Sequence, residues 1–108
     1  GEIGIDIQFI DKQAVISKVS SNSPAEKSNL KTGFVIKKVD GKTVSEILSI
    51  LEAKMARYNY TEPKKNLYWE RALMVAVSGK AGSAVNLEVL DAANKPQNFR
   101  VLRAAYEG

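Results

Sequence analysis

Between Glu2 and Phe9 every second residue is apolar: Ile3, Ile5, Ile7 and Phe9 alternate with Gly4, Asp6 and Gln8. Period two is the signature of a half-buried strand and does not fit a helix, whose buried face returns about every 3.6 residues. A single glycine stands between two isoleucines where this strand begins. Lacking a Cβ, it lets successive main-chain N–H groups turn toward one point. Such a nest suits a carboxylate, and the strand that follows can take an extended partner along its edge.

The alternation returns in Ala14–Val19 after a polar turn at Asp11-Lys12-Gln13, so the first two strands form a hairpin with the loop strand at the sheet edge. Ser23 is a fitting N-cap, with Pro24 at the first helical position and Glu26 completing a capping box. This helix lasts about two turns and ends at Asn29, which tolerates the left-handed conformation; Leu30 folds back onto the core. Phe34–Val39 is a third strand and Asp40-Gly41 a tight hairpin turn into the brief strand Lys42–Val44.

From Ser45 the apolar period lengthens. Val44, Ile47, Leu48, Leu51 and Met55 mark one face of a helix of about three turns reaching Arg57, with Ser45 as its cap. Pro63 predicts a break over Asn59–Asn66. A second helix spans Leu67–Val77, with Trp69, Ala72, Leu73, Ala76 and Val77 inward and Gly79 and Gly82 beyond its end. Strands then return at Ala84–Leu90 and Phe99–Arg103, joined by a turn from Asp91 to Gln97. Five or six strands and two or three helices predict an α+β fold: a small, partly open antiparallel barrel or sandwich, capped by the helices. All 108 residues form one domain with a helical insertion at about 45–66.

Composition excludes several classes of function. With no cysteine there is no disulfide or thiolate metal site, and with no histidine the commonest general base and metal ligand is missing. The net charge of +4 comes from scattered lysine pairs near acidic residues (Lys37-Lys38, Lys64-Lys65), a solvated surface and not a nucleic-acid stripe. No apolar run reaches the roughly 20 residues needed to enter a membrane as a spanning helix. Ser17-Lys18 and Lys27-Ser28 lack the geometry of a Ser/Lys dyad, because neighbours on a strand point to opposite faces. No cofactor is expected.

The order Ile3-Gly4-Ile5, then Ser23-Pro24-Ala25 before Leu30, then Gly33, Ile36 and Val39-Asp40-Gly41 resembles a PDZ domain. It is most similar to the bacterial, protease-associated branch, with its pattern V-x-x-V-x-x-x-S-P-A-x-x-A-G-L-x-x-G-D-x-I-x-x-V-D-G. Ile16, Val19, Ser23, Pro24, Ala25, Leu30, Gly33, Ile36, Val39, Asp40 and Gly41 occupy its slots. Gly82-Ser83-Ala84-Val85-Asn86-Leu87-Glu88-Val89 resembles the family's later G-S-x-V-x-L-x-V segment. Ser28-Asn29 departs from the usual Ala-Gly, and Phe34 replaces the usual aspartate, which would add an apolar group to the surface.

Only Gly1 and Glu2 precede the loop, so its supporting strand must come from elsewhere in the chain, with Phe99–Arg103 as the free candidate. That circular permutation, and the helix before the groove helix, most resemble the PDZ domain of C-terminal-processing (tail-specific) serine peptidases, whose Ser/Lys dyad lies on a separate domain. The resemblance implies a peptide site of Ile3, Gly4, Ile5, Asp6, Ile7, Phe9, Trp69, Leu73, Ala76 and Val77. The N–H groups of Ile3, Gly4 and Ile5 would hold a terminal carboxylate, and a β-branched residue at Gly4 would crowd that nest. The implied partners are C-terminal peptides or unfolded tails with apolar last residues, and the catalytic domain of the parent protein; the implied location is a bacterial periplasm or envelope. Two alternatives stay open: a scaffold or adaptor PDZ domain without a protease, and a self-occupied lid that gates the catalytic domain. The same isoleucines and Trp69 also suit plain core packing.

Overall fold

The computed structural model describes residues 1–55 and 61–104. Six strands form one antiparallel sheet: β1 (Ile5–Ile10), β2 (Gln13–Val19), β3 (Val35–Val39), β4 (Lys42–Thr43), β5 (Ala84–Leu90) and β6 (Pro96–Leu102). The order across the sheet is β1-β2-β3-β5-β6, with β4 paired to β3. The sheet is not closed into a barrel, so β1 and β6 are its edges. Among the described residues, three helices accompany it: α1 (Pro24–Lys27), α2 (Val44–Met55) and α3 (Glu62–Val77).

The local chemistry of the turns explains most of these boundaries. Asp11 and Lys12 both take positive φ, as do Asp40 and Gly41, the geometry that closes a two-residue hairpin without splaying its strands. Ser23 accepts a hydrogen bond from Glu26 N at 3.2 Å, and Asn29 adopts φ +71° after α1. The helix is one turn long and not two, and the Glu26 carboxylate accepts from Asn22 N and not from the cap's own N–H.

Two helix starts differ from the sequence reading. The Thr43 hydroxyl, not Ser45, accepts from Glu46 N at 3.1 Å, because α2 begins as soon as β4 ends. Pro63 lies in the first turn of α3, where its missing N–H has no intrahelical partner to lose. It therefore starts the helix five residues before Leu67. The Arg57 end of the first expected helix, and Asn59 and Tyr60 of the expected break, lie outside the described residues. The last strand also begins earlier, at Pro96, since β5 and β6 pair continuously from Leu90 opposite Pro96 to Ala84 opposite Leu102.

The core gathers on one face of the sheet. Ile5, Ile7, Ala14, Ile16, Ile36, Val39, Val85, Leu87, Val89 and Val101 are buried there with Leu48, Leu73 and Val77 from the longer helices. Phe34 is not a surface patch. It is buried, with its ring centroid 6.2 Å from that of Phe99. The missing aspartate is replaced by an aromatic contact between the start of β3 and β6.

Candidate functional site

The segment Gly1–Gly4 is held by its carbonyls. Those of Gly1, Glu2, Ile3 and Gly4 accept from the N–H groups of Gly79, Ala104, Ala25 and Ser20, at 3.0, 2.8, 2.9 and 2.8 Å. The bond from Ala104 comes two residues after β6 ends, so the loop is tied to the segment that follows the last strand and not to the expected strand Phe99–Arg103 itself. In the other direction, the N–H groups of Ile3 and Gly4 meet no acceptor among the described residues. With carbonyls drawn inward and adjacent N–H groups left over, the loop presents donors and no acceptors, which favours an anion.

Gly4 has φ +87°, and its Cα faces the Ser23 side chain. A β-branched residue there would strike Ser23 before it crowded a ligand, so Gly4 is required by the fold itself.

The remaining predicted residues fall into three groups. Ile3, Ile5, Ile7, Leu73 and Val77 are brought together but are buried, at most 5% exposed. Ala76 is half-buried beside them, on α3. Asp6 is exposed, and the alternation along β1 puts its side chain on the opposite face from Ile5 and Ile7. Phe9 and Trp69 sit apart from the loop and line a cavity of about 320 Å³ with Lys12, Val44, Ser45, Leu48, Glu52 and Asn66.

The loop end is far tighter. The cavity among Glu2, Ile3, Gly4, Ile5, Met74, Val77 and Ser78 measures about 10 Å³, the space of roughly one water. The end of α3 is therefore drawn against the loop. Arg103 holds it there: its Nε donates to Val77 O at 3.0 Å, and one Nη donates to Ser83 Oγ at 2.9 Å and Ala84 O at 3.2 Å. The other Nη is 3.9 Å from the Asp40 carboxylate. A Cβ on Gly79 would come within 2.9 Å of this guanidinium, which would have to shift to admit it.

Sequence reasoning did not find Met74, Arg103 or Glu70. The Glu70 carboxylate accepts from Phe9 N at 2.8 Å, linking α3 to the outer edge of β1. A lone glutamate on an amphipathic helix reads as solvated, and Arg103 reads as the exposed end of a strand. Neither residue has a local pattern that betrays a distant acceptor.

An edge strand led by a donor-only loop, with a helix laid along it and the segment after the last strand tied to the loop, is the architecture of a PDZ-type module. A family model of the PDZ domain matches residues 1–62, and the chain belongs to that family. No curated protein matches it. Among solved structures the chain is similar to the HtrA-type protease AlgW with decapeptide, at TM-score 0.66 and 16% identity over 100% of this chain and 30% of that one. It is similar to a photosystem II D1 C-terminal processing protease at TM-score 0.62 and 21% identity, over 94% of this chain and 22% of that one. Mature CPAF matches at TM-score 0.64 and 17% identity, over 94% and 19%. Identities this low establish a shared fold, and the chain spans less than a third of each of these proteins.

Proposed function

We propose that this chain is the peptide-binding and regulatory PDZ domain of a C-terminal-processing serine peptidase, which takes the apolar C-termini of substrate proteins by strand addition to β1. The observation that carries the reading is the donor-only loop: its carbonyls are engaged inside the fold while the N–H groups of Ile3 and Gly4 are left for a carboxylate. Each charge-assisted bond of this kind contributes about 1.5–3 kcal/mol before ordering costs. Ile3, Ile5, Ile7, Leu73 and Val77 are buried at rest, and would form aliphatic walls that favour an apolar last residue once the loop end opens. With few groups buried, affinity would be roughly micromolar, about −8 kcal/mol. The likeness to protease structures, one of them described with a decapeptide, supports a peptidase as the parent protein. A bacterial envelope location belongs to the same proposal.

The tight loop end favours a gating version of this reading. In it the groove is closed at rest and opens when the Val77 end of α3 moves away, which would couple ligand capture to a neighbouring catalytic domain.

The test is an NMR titration with a short peptide ending in Ala-Ala, against the same peptide amidated at its C-terminus. Shifts at Ile3–Ile7 and Trp69–Val77 that vanish on amidation are expected. Equal shifts with both peptides would remove the carboxylate from the reading, and silence with both would remove the free peptide as ligand.

A further inference from the structure

The outward edge of β1 is where a partner strand would add, and one of its N–H groups already has an acceptor. Phe9 N donates to Glu70 Oε2. Alternate residues of an antiparallel strand turn their main-chain groups to the same side. The strand's alternation is unbroken from Ile5 to Phe9, because the irregularity beside Asp6 and Ile7 is taken up by β2, where Ser17 has no partner. Ile7 therefore shares the outward edge with Phe9. Among the described residues, no side chain is bonded to the Ile7 N–H.

We propose that Glu70 is a specificity-determining residue that fixes how long a segment β1 can take up. The inference rests on the peptide reading of the same groove. An added antiparallel strand faces β1 residue for residue. A ligand whose last residue lies opposite Ile5 puts its third-last opposite Ile7 and its fifth-last opposite Phe9. Glu70 Oε2 stands where the carbonyl of that fifth-last residue would accept. A carboxylate is the stronger acceptor for an N–H group, and the bond is partly buried. Displacing it exchanges a charge-assisted bond for a neutral one. Strand addition therefore ends short of Phe9, and the domain reads the last three or four residues of a tail.

Calorimetric titration compares an acetylated tetrapeptide ending in Ala-Ala with an octapeptide sharing its four C-terminal residues. The unaltered chain is expected to bind the two within about twofold of one another. In Glu70→Ala the octapeptide-to-tetrapeptide affinity ratio is expected to rise roughly tenfold, the effect of freeing one main-chain pairing position. Glu70→Gln, which keeps a neutral acceptor, falls between. Hydrogen exchange of the unliganded Phe9 amide supplies an independent readout: protected in the unaltered chain, faster in Glu70→Ala, intermediate in Glu70→Gln. A strong preference of the unaltered chain for the octapeptide, or an unchanged ratio in Glu70→Ala, overturns the stop while leaving tetrapeptide binding, and so the peptide reading, intact. If neither peptide binds any variant, the peptide reading fails and the stop fails with it.

Discussion

Replacing Gly4 with alanine tests the geometry of the loop most directly. A Cβ there would lie 2.3 Å from Ser23 Cβ and 2.7 Å from Ser23 Oγ, at a backbone φ of +87°. The conformation alone costs an L residue about 1–2 kcal/mol. Moving Ser23 aside breaks its 2.7 Å bond to Ser20 O and its 3.2 Å cap on Glu26 N, at about 1 kcal/mol each. The total, about 3–4 kcal/mol, is a large part of the roughly 5–15 kcal/mol typical of a domain. Urea unfolding followed by Trp69 fluorescence should show the midpoint fall by about 1–3 M at unchanged slope. The Ser23→Gly variant removes both struck atoms and leaves a residue that caps helices almost as well. Gly4→Ala combined with Ser23→Gly should therefore be about 1–2 kcal/mol more stable than the sum of the single changes. A Gly4→Ala cost below about 1 kcal/mol, or strict additivity in the pair, would refute the contact.

Arg103→Met keeps the stem but leaves Val77 O and Ala84 O without their donor, and should cost about 2–4 kcal/mol in urea unfolding; Asp40→Asn, whose ion pair is long and half-exposed, should cost under about 1 kcal/mol. In the β5–β6 hairpin, the N–H of Lys95 and the amide of Gln97, with help from the Ala93 N–H and the Lys95 charge, hold the Asp91 carboxyl below the usual carboxylate range. A lowered folded value means that this contribution is complete above the unfolded value and is lost as pH falls through the folded one. A ¹³C titration of the Asp91 carboxyl should give a midpoint below that of an unstructured peptide, and Asp91→Asn should remove the contribution to acid sensitivity.

The parts of the fold legible in the sequence were those decided over a few residues. Ile3 to Phe9 could only be a strand by period, Asp40-Gly41 could only turn tightly, and Asn29 could end α1 because asparagine tolerates the left-handed region. Capping was legible in kind but less so in place. Thr43 and Ser45 are equally competent acceptors, and the end of β4 chose between them. Pro63 is compatible with a helix start as well as a break, and no local signal separates the two.

By itself, then, the chain's pattern determined strands, turns, the donor loop and the class of module, because backbone sterics and side-chain period act locally. Tertiary structure decided how open the groove is and what already occupies its edge. Met74 and Val77 narrow the loop end, Glu70 takes the Phe9 N–H from 61 residues away, and Arg103 fastens the helix end across 26. A buried donor or acceptor must find a partner wherever the fold brings one within about 3 Å, and that partner leaves no trace in the residues around it.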